Sequence, residues 1–597
     1  MGKVINSYGG KGGSFTIENT NLENVLIPEE FTEEQKMIMK TTKEFVEKEV
    51  TVLGEKAQQL NYQLSKDLVK KAGDVGLLGV CLPEEYGGLG LDGIRFAMIK
   101  ESLNLGPSSM TATIGGQMGI GMLPIIFFGT AAQREKYLPA LQEGTITTSF
   151  ALTESQSGTD ASSIKTSATL TEDGKHYILN GNKVFITNAG FADIFVVFAK
   201  INGTGFSAFI VERETEGLSI GPEEKKMGLK ASSTCSMTFE DVKVPVENLL
   251  GKPGEGHRFA FNTLNFGRLS VGAGCLGNSK HALEVSVKYA NQRVQFGKKI
   301  SSFPLISQKL ANINIKTYVL ESMVYRTAGI FDEKLKEINF SDPNLEENSR
   351  KAIGEYMIEC AINKVFGSET LDYAADEGVQ IHGGYGYIQE YEIESIYRDS
   401  RIKRIFEGTN EMNRMFITKT LVKKLSKGQL PELQVALEDS EESLQNSLTT
   451  IAFNQTLDQE TYLLSVTKKI YHMALAQALK TYDKGLEDEQ EVLSDLGDIV
   501  IQTYAMESAL LRAKKLVELN GEEKSANAID MTVAFIHEAF DQIIGFAKNT
   551  LYTTSSGDTL DWQLNLLQES SRKAPINPVV LKRKVAKKVI EVESYSV

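Results

Sequence analysis

The residues best suited to chemistry lie in three segments of the first 430 residues, where polar side chains and glycines interrupt apolar runs. The first segment reads FALTESQSGTD from Phe150 to Asp160, and its hydroxyl groups and Gly158 follow a predicted strand that ends at Leu152. Backbone N–H groups exposed in such a loop can bind a flat heteroaromatic ring and an anionic phosphate. A polar β-turn without a ligand is the alternative interpretation.

The second segment, GNKVFITNA from Gly181 to Ala189, predicts a strand on which Phe185 and Thr187 alternate. Because alternate side chains of a strand project to the same face, an aromatic ring and a hydroxyl group would stand side by side. A ring of this kind can stack on a cofactor. The alternative is a core phenylalanine beside a threonine whose hydroxyl group is satisfied locally.

The third segment joins a glycine-rich stretch, QIHGGYG from Gln380, to the sequence RIFEGTN that ends at Asn410. Its glycines allow a ligand to approach the backbone closely. Thr409 or Asn410 can cap the predicted helix that follows, so Glu407 lies just before a helix start. The helix dipole alone also explains a carboxylate at this position. The glycines form no GxGxxG motif in a βαβ unit, which excludes a Rossmann dinucleotide site.

The composition is that of an ordinary globular protein of 597 residues, with 41% hydrophobic and 24% charged residues. The 64 basic and 78 acidic side chains give a net charge of −14, which disfavours nucleic-acid binding. The four cysteines and six histidines show no disulfide or metal-ligand spacing, so no metal site is predicted. We find no targeting signal and no run of about 18 apolar residues, which predicts a cytoplasmic protein.

Hydrophobic periodicity predicts an α+β protein that is mainly α-helical. In a central region, short β-branched runs separated by Gly, Asn and Asp turns predict an antiparallel β domain. The predicted order is an irregular, flexible N-terminal arm over residues 1–30, a helical domain over 31–146, the β domain over 147–252, a helical bundle over 253–427, a loosely held linker over 428–454 and an appended helical domain over 455–597.

Five motifs occur in order over roughly residues 30–425, namely ALTESQSGTD, NKVFITNAG, RVQFGK, QIHGGYGY and RIFEGTNE. Together they resemble the acyl-CoA dehydrogenase family. The further helical region, about residues 430–597, makes the chain most similar to the very-long-chain branch, whose members carry an appended helical domain. The resemblance implies a flavoenzyme that holds FAD between the β domain and the helical bundle.

The resemblance also implies a site for the flavin ring in the first two segments. Phe150, Leu152 and Thr153 would contact the edge of the ring. Phe185 would take the place of the tryptophan that most members stack against the isoalloxazine. Thr187 would form a hydrogen bond near the reactive N5 atom.

Other residues would hold the far end of FAD across a subunit interface. By similarity, the pyrophosphate and adenosine are expected to contact Arg293, Phe296, Gln380, Gly383 and Gly384. Thr409 and Glu411 would also reach the cofactor. Similarity to the very-long-chain branch predicts a homodimer.

The expected substrate is a fatty acyl-CoA, and Glu407 matches the catalytic base of most of the family. The residues implied to bind this substrate are Thr159, Asn265, Arg268, Gly408 and Gly116. Gly116 lies where medium-chain members have a larger residue at the floor of the cavity, which predicts a deep tunnel for a long chain. Close helix packing is the alternative explanation of that glycine.

Such an enzyme removes an α-proton with its base and transfers the β-hydride to flavin N5, giving a trans-2-enoyl-CoA in fatty-acid β-oxidation. The resemblance implies that the backbone N–H of Glu407 and a ribityl hydroxyl group stabilise the enolate oxygen. Electron-transfer flavoprotein is the implied electron acceptor. The alternatives are an acyl-CoA oxidase that uses oxygen and a noncatalytic relative that serves assembly or nucleic-acid binding.

The C-terminal stretch from Arg572 to Ile590 contains basic residues and no acidic ones. Its valines and leucine alternate with these cations in a pattern typical of a basic amphipathic helix that lies on anionic lipid. Peripheral membrane contact is therefore one prediction, and a solvated helix is the other.

Overall fold

The computed structural model describes residues 10–448 and 453–597. It confirms a mainly helical α+β fold with an N-terminal helical domain, a β domain and two further helical regions. Helix α1 begins at a capping box, in which the hydroxyl group of Thr32 accepts from the Gln35 N–H and the Gln35 side chain accepts from the Thr32 N–H. The N-terminal helices are α1 (Glu33–Phe45), α2 (Tyr62–Asp74), α3 (Gly93–Leu103), α4 (Ser108–Gly116), α5 (Leu123–Phe128) and α6 (Ala131–Gln142).

A turn of π-helix, Gln117–Gly121, separates α4 from α5. The whole segment Ser108–Phe128 is long and apolar enough to cross a membrane, with a mean hydropathy of 1.4, although it contains no run of about 18 consecutive apolar residues. It is mostly buried within the protein, and its π-helical turn packs against α7 (Gly256–Gln292) and the first strand of the β domain. A helix in the core of a protein can have the same length and composition. The burial of this segment identifies it as a core helix.

The β domain contains β1 (Thr148–Ala151), β2 (Ser167–Leu170), β3 (His176–Thr187), β4 (Ile194–Ile201), β5 (Gly205–Glu212), β6 (Leu218–Glu223), β7 (Thr234–Pro245) and β8 (Leu249–Leu250). The strands pair in the order β6-β7-β3-β2-β4-β5-β8, with β1 beside β4. Most pairs are antiparallel as predicted, but β1 and β2 both run parallel to β4. Pairing of β1 with β4 anchors the polar loop that follows β1.

The helical bundle is built on long helices that are buried on most of their faces. Its elements are α7, a hairpin of β9 (Val294–Gln295) and β10 (Lys298–Lys299), α8 (Pro304–Lys336), α9 (Leu345–Glu355), α10 (Met357–His382), α11 (Glu392–Ser400) and α12 (Asn410–Ser426). Helices α7 and α10 form the most extensive helix pair of the structure. Such helices lack a broad polar face because their neighbours cover them on several sides.

The predicted linker is folded over the residues that the structure describes. It forms α13 (Pro431–Glu438) and α14 (Ser440–Asn446), and the side chains of Leu433 and Leu444 are buried. The prediction of a loosely held segment is wrong there, because these leucines anchor an otherwise acidic sequence. The appended helices are α15 (Asp458–Tyr482), α16 (Gln490–Asn520), α17 (Ala526–Thr554), α18 (Gly557–Ser570) and α19 (Pro578–Val592).

The N-terminal arm is packed rather than flexible from Gly10 onward, and residues 1–9 lie outside the described ranges. The backbone N–H of Gly13 donates to Glu359 Oε1 at 2.7 Å, and Lys468 Nζ donates to the carbonyl oxygen of Glu18 at 2.6 Å. A Cβ on Gly12 would lie 2.0 Å from a backbone oxygen of α9. The glycines therefore serve close packing, which composition alone does not distinguish from flexibility.

A buried charge network joins the arm to the C-terminal tail. Glu321 on α8 accepts from the Tyr595 hydroxyl group at 2.6 Å and lies 2.7 Å from the guanidinium of Arg512 on α16. The same guanidinium pairs with Glu29 of the arm at 2.6 Å. Burial opposes ionisation, but Lys280 and Arg512 hold the pKa of Glu321 at about 2. Removing one partner of an ion pair at this depth would strongly destabilise the protein, because the other charge would stay buried without compensation.

Helix α19 packs its apolar face onto the protein. Val585 and Val589 are buried, and the helix lies against α8 and α17. Arg583, Lys587 and Lys588 remain exposed. An apolar face that is already covered cannot also enter lipid in this conformation, so a membrane contact of α19 would rest on the exposed cations.

Candidate active site

Glu407 lies in a turn immediately before α12. The backbone is left-handed at Glu407, with φ of 57°, and at Gly408, with φ of 82°. A non-glycine residue in this conformation is uncommon, and such strain clusters at functional sites. Thr409 caps α12, because its hydroxyl group accepts from the Met412 N–H at 3.3 Å. Of the two predicted caps, Thr409 and Asn410, the helix uses Thr409. The turn and the cap together fix the direction in which the Glu407 side chain leaves the backbone.

The carboxylate of the half-buried Glu407 packs against α7, where Gly267 leaves room for it. A Cβ at position 267 would lie only 2.8 Å from Glu407 Cδ. Glu407 Oε2 is buried and has no hydrogen-bond partner among the residues that the structure describes. Removal from water raises the pKa of Glu407 to about 7. The charges that oppose this rise belong to Arg268, Lys364 and Lys100.

Two of these cations also hold the turn. Arg268 donates through Nη1 to Asn265 Oδ1 at 3.0 Å and through Nε to the carbonyl oxygen of Glu407 at 3.4 Å. Lys364 Nζ donates to the carbonyl oxygen of Gly408 at 2.8 Å. The structure thus brings Asn265, Arg268 and Gly408 together beside Glu407.

A buried ion pair joins the first two segments that the sequence singled out. Lys183 Nζ lies 2.8 Å from Glu154 Oε1, and both side chains are almost fully buried. Burial would raise the pKa of Glu154, but the charge of Lys183 and several hydrogen bonds hold it below its usual value. Lys183 also donates to the carbonyl oxygen of Leu152 at 3.0 Å, and the Val184 N–H donates to that of Thr153 at 2.9 Å. The loop after β1 is therefore fixed beside β3.

Phe185 and Thr187 lie in an irregular part of β3. The register between β3 and β7 shifts between Lys183 and Ile186, and Phe185 has a φ of 59°. This irregularity is a β-bulge with one extra residue between Lys183 and Ile186, whereas Phe185 and Thr187 flank the buried Ile186 and are both more exposed than it. Phe185 is 64% exposed as a result, so its ring is available to a ligand.

Gly116, at the end of α4, adjoins the second segment. A Cβ at this position would lie 3.2 Å from Asn188 Nδ2 and 3.6 Å from Thr187 Cγ2. The hydroxyl group of Ser149 donates to the carbonyl oxygen of Thr187, which places β1 and its half-buried Phe150 in the same neighbourhood. These contacts bring α4, β1 and β3 to one place, and the depth of an acyl tunnel stays a prediction.

Four predicted cofactor residues line a groove of about 570 Å³ at the far end of α10. They are Arg293, Phe296, Gly383 and Gly384. Phe296 lies at the hairpin of β9 and β10 and is 93% exposed. A Cβ at either glycine would meet no atom within 4 Å, so the backbone there is open to a ligand. Gln380 lies nearby on α10, exposed and outside the lining.

The groove is separate from the Glu407 site. Lys364, which contacts the Gly408 carbonyl group, and His382, which lines the groove, stand eighteen residues apart on α10. At 1.5 Å per residue, they are about 27 Å apart along the helix axis. The predicted site residues of one chain therefore fall into two separate regions.

Thr159 and Glu411 lie on the surface. Thr159 is exposed in the loop after β1, and Glu411 is exposed in the first turn of α12. Hydrogen bonds from its own backbone N–H and from Thr409 lower the pKa of Glu411. Their contacts to CoA and to FAD stay predictions.

Sequence reasoning missed several residues that shape the site, namely Gly267, Lys364, Lys183 and Glu154. Gly267 carried a usable signal, because a glycine inside a helix costs about 1 kcal/mol relative to alanine and thus indicates a close approach. The Lys183–Glu154 pair gave none, since its partners are far apart in the sequence.

Four family models match the chain. They are described as the acyl-CoA dehydrogenase N-terminal domain over residues 32–145, the middle domain over 149–242, and the C-terminal domain over 254–422 and, in a second model, over 466–569. A probable acyl-CoA dehydrogenase of Bacillus subtilis (strain 168) is 46% identical over 591 residues, which are 98% of each protein. The chain belongs to the acyl-CoA dehydrogenase family.

Two further relatives extend this result. The mitochondrial very long-chain specific acyl-CoA dehydrogenase of Rattus norvegicus is 35% identical over 480 residues, 76% of this chain and 70% of that protein. The crystal structure of an acyl-CoA dehydrogenase complexed with FAD from Bacillus anthracis superposes with a TM-score of 0.96 at 47% identity, covering 99% of this chain and 100% of that one. This acyl-CoA dehydrogenase uses FAD, as the sequence predicted.

The residues present suit a flavin cofactor. The exposed Phe185 ring offers a stacking face beside the fixed loop after β1. The open backbone at Gly383 and Gly384 allows a pyrophosphate to approach. The buried, unpartnered Oε2 of Glu407 is a base that the protein itself does not satisfy.

Proposed function

We propose that this acyl-CoA dehydrogenase converts saturated long-chain fatty acyl-CoA thioesters to trans-2-enoyl-CoA products in fatty-acid β-oxidation and passes the electrons to electron-transfer flavoprotein. Acyl-CoA dehydrogenation is the activity of the family. The chain length, the electron acceptor and the roles of individual residues are the proposed parts.

The observation that carries the proposal is the state of the Glu407 carboxylate. Glu407 takes the α-proton of the thioester on its carboxylate, whose Oε2 has no hydrogen-bond partner in the described part of the chain. Its pKa of about 7 makes it basic and leaves about half of it ionised at pH 7. Bound FAD supplies the acceptor for the β-hydride.

The protein also offers a donor for the thioester oxygen. The backbone N–H of Glu407 donates to no group within residues 10–448 and 453–597. Arg268 and Lys364 hold the carbonyl oxygens of the same turn, so this N–H has a fixed direction. A fixed donor stabilises the charge that develops on the oxygen as the α-proton leaves.

Two observations support a long acyl chain. Gly115, Gly116 and Gly119 reduce the side-chain volume where α4 meets its π-helical turn. The relative from Rattus norvegicus, which aligns over 76% of this chain, is described as very long-chain specific. Both favour a cavity deeper than a short acyl chain needs.

A homodimer completes this proposal. The groove that contains Arg293 and Phe296 lies too far along α10 to serve the Glu407 site of its own chain. We therefore assign it to the adenosine end of the FAD bound by a partner subunit. The exposed Phe296 is suited to such an interface, because large aromatic side chains are enriched there.

The proposed location is the cytoplasm, with peripheral contact to anionic membrane through the exposed cations of α19. Arg583, Lys587 and Lys588 are the groups available for this contact. Attraction of this kind falls with ionic strength, so salt should release the protein from anionic vesicles.

The test of the proposed function is anaerobic reduction of the bound flavin by saturated acyl-CoA thioesters of four to twenty carbons. We expect the fastest reduction with long chains, and its near-complete loss in the Glu407→Gln variant, which keeps the shape but cannot accept the proton. Glu432→Gln is the matched control, because it changes an exposed carboxylate in the first turn of α13, a helix that carries no predicted site residue.

Two results would contradict the proposal. Unchanged flavin reduction by palmitoyl-CoA in Glu407→Gln would remove the base assignment. Steady peroxide production during aerobic turnover, without need of electron-transfer flavoprotein, would identify an oxidase instead.

A further inference from the structure

Lys100 on α3 is a buried cation whose hydrogen-bonding capacity is mostly unused. The residue is 4% exposed, and its ammonium group donates to the carbonyl oxygen of Gly115 at 2.9 Å. No second acceptor lies within hydrogen-bond distance in the part of the chain that the structure describes. An ammonium group has three donors, so two of them lack a protein partner. Buried donors in this state indicate a site for a ligand or water.

The surroundings place this ammonium group near the active site, behind the rings of Phe96 and Phe266. Lys100 lies one helical turn from Phe96, and its Nζ is 5.4 Å from the centre of that ring. Phe96 packs edge-on against Phe266 at 4.6 Å. Phe266 precedes Gly267, the residue that makes room for the Glu407 carboxylate. Lys100 is thus linked to the catalytic carboxylate through one layer of aromatic contacts.

Two glycines make room for the Lys100 ammonium group. A Cβ at Gly115 would lie 3.2 Å from Lys100 Nζ, and a Cβ at Gly119 would lie 3.7 Å from it, with no other atom within 4 Å of either. Gly119 belongs to the π-helical turn and departs from helical geometry, with φ of −97° and ψ of −117°. Single π-helical turns inside helices occur frequently at functional sites. The next glycine, Gly116, faces Thr187 at the predicted flavin site.

The charge balance of this region is positive. The cations Lys100, Arg268, Lys364 and Lys403 have no carboxylate oxygen within 4.0 Å in the described ranges. Burial, and next the charge of Lys403, lowers the pKa of Lys100 to about 7, and Glu407 is the nearby carboxylate that opposes this. A further anion in the cavity would satisfy the open donors and reduce this excess of charge.

We infer that Lys100 binds a carboxylate group carried by the acyl chain, so that the preferred substrates are acyl-CoA thioesters with a second carboxylate at the distal end. The inference rests on the proposed dehydrogenation and specifies its substrate class. An apolar chain end beside this ammonium group would leave two buried donors unsatisfied, whereas a carboxylate accepts charge-assisted hydrogen bonds from both.

The test compares monocarboxylic and dicarboxylic acyl-CoA thioesters of equal carbon number, from six to sixteen carbons, in anaerobic flavin reduction. The measured quantity is the ratio of kcat/KM for the two members of each pair. The variants are Lys100→Met, which removes the charge at similar size, and Lys100→Arg, which retains it. Any general effect of the lost charge on Glu407 changes both members alike and leaves the ratio unaltered.

We expect the wild-type protein to prefer the dicarboxylic member at its best chain length by about tenfold or more. Lys100→Met should lower the ratio by about tenfold to a hundredfold, the range of one or two charge-assisted hydrogen bonds, while Lys100→Arg keeps most of it. The absolute rates of both members should fall alike near neutral pH in Lys100→Met, because the Lys100 charge no longer opposes the raised pKa of Glu407.

Several outcomes would overturn the inference. An equal preference for an ω-hydroxyacyl-CoA would mean a neutral acceptor instead of a carboxylate. Monocarboxylic reduction with no preference at any length in the wild type would mean that water alone occupies the site, and this comparison needs no variant to fold. If no acyl-CoA of either kind reduces the flavin, the proposed function itself fails.

Discussion

Replacing Gly267 by alanine should displace the Glu407 carboxylate and leave the fold intact. The added methyl group would lie 2.8 Å from Glu407 Cδ and 2.9 Å from Oε1, whereas ordinary contacts of a Cβ begin at 3.4 Å. The carboxylate must therefore move by about 0.6 Å. Since a misplacement of about 1 Å can cost roughly a hundredfold in rate, we expect flavin reduction to slow by about tenfold to a hundredfold.

The free energy of unfolding of Gly267→Ala should rise slightly or stay unchanged, although the rate falls. The new methyl group meets the end of a flexible side chain, and alanine inside a helix is favoured over glycine by about 1 kcal/mol. The assay is stopped-flow reduction of the bound flavin by palmitoyl-CoA, together with the melting temperature and the FAD content.

Gly545→Ala is the matched control for this experiment. Gly545 lies inside α17, and a Cβ there would meet no atom within 4 Å, so the substitution tests helix preference alone. It should raise stability slightly and leave the rate unchanged. If Gly267→Ala reduces its flavin as fast as the wild type, Gly267 does not define the position of the base.

Two further predictions concern pH and stability. The pKa of Glu407 is raised to about 7, and only the ionised form accepts a proton. We therefore expect kcat/KM to fall about tenfold per pH unit below pH 7 and to level off above it. A flat profile between pH 5 and 8 would contradict the assignment of Glu407 as the base. Lys183→Met should lower the free energy of unfolding in urea by about 3–5 kcal/mol, because it leaves Glu154 buried without its cation. The control Lys36→Met breaks an exposed ion pair and should change the free energy of unfolding by less than about 1 kcal/mol. Equal losses in the two variants would show that burial of the pair does not matter.

The parts of the structure that depend on local sequence were predictable. The strand before the first segment was expected to end at Leu152 and ends at Ala151, and the helix after Glu407 begins with one of its two predicted caps, Thr409. Strand alternation and helix capping are set by residues within a few positions of each other, so one sequence contains the information they need.

The parts that depend on distant contacts were not predictable. The Gly-rich arm resembles a flexible leader, and only its contacts with α9 and α15 show that it is packed. The bulge at Phe185 arises from the pairing of β3 with β7, which the sequence of β3 does not encode by itself. The partners of Lys183 and Gly267 lie 29 and 140 residues away along the chain, so the sequence could not name them, although a glycine inside a helix does indicate some close approach at position 267.

The buried network around Glu321 has a practical consequence for how the enzyme can be dissected. It ties together Glu29 near the start of the chain, Arg512 in the appended region and Tyr595 near the last residue. A shortened protein that stops at the end of α12, although it retains every catalytic motif, would leave Glu321 with Lys280 but without Arg512 and Tyr595, and would uncover a face of α8. Protease digestion should accordingly yield no active smaller fragment, and heating should melt both helical regions in one step.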